Sequence, residues 1–164
     1  DAIVEITGPE GGRRLPIHDF YIKAGKVDLR PGELQTAIII PKEAYEGYFG
    51  HYIKYAMRNA MDIATTGCSV NVKLSEDKKT ILDARIAYGV AGPVPMRAPS
   101  AEAKIRGKET GRAAVKEFAQ AVLEDINPRD SWRAAKDFRE HIATVLAERA
   151  LCESIRLAGG EVHE

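Results

Sequence analysis

Val70, Val72 and Leu74 alternate with Ser69, Asn71 and Lys73, and after the polar run Ser75-Glu76-Asp77-Lys78-Lys79 a second alternation sets Leu82, Ala84, Ile86 and Tyr88 against Asp83, Arg85 and Ala87. A strand sends successive side chains to opposite faces, so two such runs joined by polar residues predict a hairpin with one buried face. A further run over 51–58 precedes it, which makes a three-stranded antiparallel meander. The buried face needs a cover, and the chain beyond Ser100 reads as helical. A short helix capped by Ser100 stops at Gly107. A longer one, led by Thr110, carries Val115, Phe118 and Val122 on one face and ends at Asn127-Pro128. A last helix is expected from Asp130 or Ser131 to about Leu157, with Phe138, Ile142, Val145, Leu146 and Arg149 at helical spacing as its packing stripe. Between hairpin and helices, Pro93, Pro95 and Pro99 predict an extended crossing outside any sheet. The fold class is α+β, a three-stranded antiparallel sheet packed against about three helices.

The first part of the chain has its own pattern. A strand-like run over 2–6 breaks at Gly8-Pro9-Glu10-Gly11-Gly12, residues 13–17 read as the returning strand, and a third run over 34–40 stops at Pro41. Ile38-Ile39-Ile40 is expected to be a strand covered on both faces. The chain does not open with methionine, and its natural start is expected upstream.

Composition narrows the function classes. With 24 basic and 24 acidic residues among 164, the chain has no net charge and lacks the footprint of a protein that binds mainly phosphate backbone or anionic lipid. No window approaches the roughly 18 consecutive apolar residues of a membrane span. Cys68 and Cys152 are too few for a disulfide framework, which points to a reducing compartment and a cytoplasmic location. The four histidines and two cysteines are dispersed without ligand spacing, so no metal site is expected, and no phosphate-loop or dinucleotide glycine motif occurs.

Some residues invite a chemical reading beside a structural one. Tyr45, Tyr48, Phe49, Tyr52 and Tyr55 interleave with His51, Lys54 and Arg58 in a chain that is 7% aromatic. Rings beside cations suit a planar or anionic ligand, and they equally suit a strand with one aromatic face in the core and Lys54 reaching to solvent. Asp62 serves as a turn acceptor or as an acceptor for a ligand or an arginine. Trp132, between Arg129 and Arg133, marks a helix start that binds an anion or a partner carboxylate, or it anchors that helix on the sheet.

The run Tyr52-Ile53-Lys54-Tyr55-Ala56-Met57-Arg58-Asn59-Ala60-Met61-Asp62-Ile63-Ala64 resembles the strand-turn motif of the FAD-binding subunits of molybdenum hydroxylases, bacterial xanthine dehydrogenase FAD subunits in particular. Three further stretches agree in order: 33–41, 87–97 and 128–139. Several separated motifs in one order are more specific than any one of them. The resemblance implies that residues 1–48 end a flavin-binding middle domain and that 49–164 form the C-terminal domain of this flavoprotein type. It assigns flavin contacts to Leu34, Ile53 and Lys54, with Leu34 and Ile53 on the isoalloxazine and Lys54 as a cation at its polar edge. Asp62 matches the same motif.

The glycine-rich loops that hold the FAD pyrophosphate in this family have no counterpart here. The chain therefore reads as the C-terminal portion of a longer subunit, inactive and poor at holding FAD without the N-terminal FAD-binding half, with an exposed apolar patch where that half would lie. In the complete enzyme the resemblance implies electrons arriving from an iron-sulfur subunit and leaving to NAD. The molybdenum cofactor would sit in a separate molybdopterin-binding catalytic subunit. The rival reading is a non-catalytic module that docks other subunits through its C-terminal helices.

Overall fold

The computed structural model describes residues 1–164, which form two compact units, 1–46 and 47–164. In the first, β1 (Ile3–Gly8) and β2 (Gly11–Pro16) make a hairpin, followed by α1 (Ile17–Phe20), a ribbon of β3 (Tyr21–Lys23) and β4 (Lys26–Val27), β5 (Leu34–Ile39) and α2 (Lys42–Tyr45). The sheet order is β2-β1-β5, all antiparallel. Its core is small: Val4, Ile6 and Phe20 are buried. Much of the remaining order is ionic. Arg13 Nε and Nη2 donate to the two oxygens of Glu33 at 2.9 and 2.8 Å while Nη1 reaches Asp28 at 2.8 Å, which staples the hairpin to the loop before β5. These bonds, with the Arg30 amide, hold the Glu33 carboxyl down to about 2.

The second unit contains β6 (Phe49–Tyr55), β7 (Thr66–Leu74), β8 (Ile81–Gly89), β9 (Met96–Arg97), α3 (Pro99–Ile105), α4 (Arg112–Ala121) with a 3-10 turn at Val122–Glu124, and α5 (Lys136–Leu157). The sheet runs β6-β7-β8-β9, so β6 is an outer strand. Cys68, Val70, Val72 and Leu74 of β7 and Ala84, Ile86 and Tyr88 of β8 are buried against Ile105, Val115, Phe118, Val122 and the inner face of α5. That face carries Ala143, Leu146, Ala147, Ala150, Leu151, Ser154 and Ile155. Small side chains let the helix approach the sheet closely, and two polar pins fix it there. Ser154 Oγ lies 2.8 Å from Val70 O, and Tyr88 Oη donates to Ala143 O at 2.7 Å.

The structure corrects several expectations. Helix α5 starts at Lys136, because the Asp130 carboxylate accepts the Lys136 amide at 2.7 Å and Ser131 and Ala134 exchange backbone bonds in the loop between. Its packing face is the alanine row, and Phe138 and Arg149 are exposed. Pro99 opens α3, and Ser100 directs both its amide and its hydroxyl to Asp125. Thr110 precedes α4 without capping it. The proline-rich crossing contributes two residues to the sheet as β9. Leu82 is exposed and Ile81 is buried, since the ladder passes from the Lys73–Asp83 pair to Leu74–Ile81 through an irregularity that turns Leu82 outward. Ile38 and Ile40 are uncovered in their unit, where β5 is an edge strand over a three-residue core.

Packing sets the expected costs. Phe118→Ala should lose about 3–5 kcal/mol of stability and Ala147→Leu about 1–3 kcal/mol by overpacking the helix–sheet contact. Trp132→Ala should change stability by less than about 0.5 kcal/mol. Urea unfolding followed by circular dichroism checks all three, and a large loss at Trp132 would contradict its placement.

Candidate functional site

Alternation along β6 sends Ile53 and Tyr55 onto the helix-covered core and leaves Gly50, Tyr52 and Lys54 exposed. Ile53 and Lys54 therefore present side chains to opposite faces of the strand. The loop that follows turns back on Lys54, whose ammonium donates to Asp62 O at 2.5 Å. Within the loop, the Asp62 carboxylate accepts the Arg58 amide at 3.0 Å and its neighbour Ile63's amide at 2.9 Å, while Arg58 Nη2 donates to Met61 O at 2.7 Å. Partial burial pushes the Asp62 carboxyl up. The two amides and the nearby Arg58 charge outweigh that and hold it below the ordinary carboxylate value. Met61 takes the left-handed conformation at φ 51°, uncommon for a residue with a side chain, and is 94% exposed. Met57 and Ile63 also face outward, so a hydrogen-bonded loop displays three apolar side chains beside two cations, Lys54 and Arg58.

The base of the loop is fastened from two sides. Thr65 N donates to Tyr55 O at 2.8 Å, and Arg139 of α5 donates through Nη1 to Thr65 O. Arg139 is 4% exposed, and its Nη2 reaches Ser131 Oγ at 2.9 Å. Burial and the charges of Arg129 and Arg133 lower its pKa. Sequence reading gave Arg139 no role, although it ends the 128–139 motif. A cation directly after Phe138 on a packing helix was the available signal.

The structure brings Lys54 and Asp62 together. Leu34 lies in the other unit, 71% exposed at the start of β5, next to the Glu33 that grips Arg13. The aromatic run does not gather into one face. Tyr45 belongs to the first unit, and Tyr55 meets Phe138 at 6.1 Å between centroids. Tyr52 lies over Gly67, where a β-carbon would come within 2.8 Å of its hydroxyl. Tyr48 donates to Asp83 at 2.5 Å, accepts from Arg85 at 2.8 Å and stacks under that guanidinium at 4.2 Å. Burial followed by the Asp83 carboxylate raises the Tyr48 phenol, so it stays protonated as a strut of the sheet surface. Trp132 is 85% exposed with the Arg133 guanidinium 4.2 Å from its ring, which removes the anchoring reading and leaves the other of the two. No helix is long and apolar enough to cross a membrane.

Because the folded Asp62 carboxyl titrates below its ordinary value of 3.8, its ordering of the loop is complete above that value and is lost as pH falls through the lower folded one. Hydrogen exchange should show the Arg58 and Ile63 amides losing protection on acidification. In Asp62→Ala both should exchange about tenfold faster at neutral pH, and their protection relative to the unstructured amide rate should no longer change on acidification.

Comparison with known proteins places the fold in a family. Residues 51–154, which include Ile53, Lys54, Asp62 and Arg139, match the model of the CO dehydrogenase flavoprotein C-terminal domain. The chain is 36% identical over 162 residues to the xanthine dehydrogenase FAD-binding subunit of Escherichia coli O157:H7, covering 99% of this chain and 55% of that protein. It is 30% identical over 153 residues to the glyceraldehyde dehydrogenase medium chain of Sulfolobus acidocaldarius, covering 93% and 53%. The solved structure of carbon monoxide dehydrogenase from Hydrogenophaga pseudoflava superimposes with a TM-score of 0.86 at 28% identity, over 96% of this chain and 53% of that one. The chain spans about half the length of these relatives. The fold, the matched span and the identities agree that this chain belongs to the CO dehydrogenase flavoprotein C-terminal domain family.

Proposed function

We propose that the chain is the C-terminal part of the FAD-binding subunit of a cytoplasmic, xanthine dehydrogenase-like molybdenum hydroxylase. In this reading residues 1–48 end the flavin-binding middle domain, 49–164 form the C-terminal domain, and an N-terminal half supplies the pyrophosphate contacts. Iron-sulfur clusters on one partner subunit feed the flavin, NAD takes the electrons, and the molybdenum cofactor acts in another subunit. When bound, FAD would supply the redox chemistry that joins one-electron donors to a hydride acceptor.

The observation that carries the reading is the Lys54–Asp62 loop. An ammonium has three donors, and one of Lys54's is used on Asp62 O, which leaves two for a polar heterocycle edge. The Asp62 bonds hold the loop in shape, and Met57, Met61 and Ile63 offer apolar contact beside the cation. This donor set fits the pyrimidine side of a flavin. Lys54 would stabilise the negative charge that reduction places there. Leu34 would be an apolar flavin contact on the strength of the resemblance alone. Ile53, with its side chain in the core, would meet the group through the main chain of the outer strand.

FAD titration followed by flavin fluorescence and absorbance tests the proposal. Saturable binding is expected when the N-terminal half accompanies the chain, with little binding to the chain alone, and no binding in either case would sink the reading. Lys54→Met should weaken FAD binding in the assembled subunit about tenfold and move the flavin potential to more negative values, with an unchanged circular dichroism spectrum. An unaltered affinity and potential would remove Lys54 from the site.

A further inference from the structure

Across the chain, arginines drawn toward the interior meet carboxylates: Arg13 meets Glu33, Arg97 meets Glu102, and Arg85 meets Asp83. Arg139 is the exception. It is the most deeply buried of these, yet its hydrogen bonds go to the neutral acceptors Thr65 O and Ser131 Oγ, and its Nε has no partner. The charges that act on it are those of Arg129 and Arg133, both of its own sign. The Nη2 bond to Ser131 aims the guanidinium into the loop that carries those two residues. Reciprocal Ser131–Ala134 backbone bonds at 3.1 and 3.2 Å and the Asp130–Lys136 bond hold the loop in shape. At its crest Trp132 is 85% exposed, with Arg133 lying on its ring.

We propose that the Arg129–Trp132–Arg133 loop, backed by the buried Arg139, is a docking site for an acidic segment of a partner polypeptide. Three arginines that form no ion pair outnumber the loop's one carboxylate, Asp130, which is turned to the Lys136 amide; they leave a positive field at one spot of a chain whose formal charge is zero, and carboxylates from outside supply the balance. Arg129 and Arg133 would take them at the surface, while Arg139 contributes its field from beneath. The exposed indole extends the contact beyond a single ion pair, and exposed tryptophan beside arginine is the side-chain combination that dominates protein–protein contacts. A loop already held by its own hydrogen bonds loses little freedom on association. This inference stands apart from the flavin reading, because no flavin group takes part in it or in its test.

Trp132 is the chain's sole tryptophan, so its emission reports on this loop alone. The chain is titrated at low ionic strength with an end-capped hexaglutamate peptide, with hexaglutamine and with inorganic phosphate. Hexaglutamate should change the Trp132 emission saturably, hexaglutamine should not, and 200 mM sodium chloride should weaken the response about tenfold. Arg129→Gln, a surface change that leaves the fold intact, should weaken hexaglutamate binding about fivefold. Arg139→Gln should weaken it as well, provided its circular dichroism spectrum is unchanged. No response to hexaglutamate, an equal response to hexaglutamine, or an Arg129→Gln variant with unchanged affinity would each overturn the proposal. Displacement of hexaglutamate by phosphate at matched concentration would also overturn it, by assigning the loop to a small anion.

Discussion

The close seat of α5 on the sheet is the contact on which the second unit depends. The helix lies over β6 and β7 and reaches the sheet through a row of alanines, and Ser154 and Tyr88 lock its position with hydrogen bonds to backbone carbonyls on the opposite element. Alanine contributes little apolar area of its own. What it permits is proximity, so that β7 side chains such as Val70 and Val72 fill the space a larger helix residue would occupy. The same helix carries Arg139 at its first turns, and the Arg139–Thr65 bond transmits its position to the loop after β6. The scaffold and the candidate site thus share one structural member.

Much of the second unit was legible in the sequence because its signals are local. The hairpin alternation survives in β7 and β8, and Val115, Phe118 and Val122 are buried as their spacing implies. Errors cluster where a specific hydrogen-bond partner or a ladder irregularity overrides the local pattern. Asp130 delays the start of α5 by bonding Lys136, Asp125 takes Ser100 out of a capping role, and a ladder irregularity exchanges Leu82 for Ile81. None of these choices follows from hydrophobic periodicity, and the Ser100–Asp125 contact spans 25 residues. The exposed Ile38 and Ile40 have a related cause: a run of isoleucines shows a demand for cover without showing where the cover comes from.

For the candidate site, the resemblance singled out Lys54 and Asp62, and the coordinates join them through a main-chain carbonyl. That bond was invisible in spacing, since seven residues, Tyr55 to Met61, intervene and all but the first lie in irregular loop. The opposite orientations of Ile53 and Lys54 follow from strand periodicity alone and were open to deduction. Trp132 carried two readings in the sequence because a tryptophan near a helix start serves either burial or display. Only the placement of Arg133 across its exposed ring separates them.

Met61 bends the loop after β6 through a backbone region that side chains with a β-carbon seldom occupy, at a cost on the order of 1 kcal/mol. The Asp62 carboxylate and the Arg58 guanidinium offset that cost by bonding the main chain on either side of it. The freedom of the segment is therefore surrendered when the chain folds, well before any encounter. A guest arriving at this loop would meet a fixed mould, and its residence time would be governed by how well it fits and hardly at all by how fast the loop rearranges.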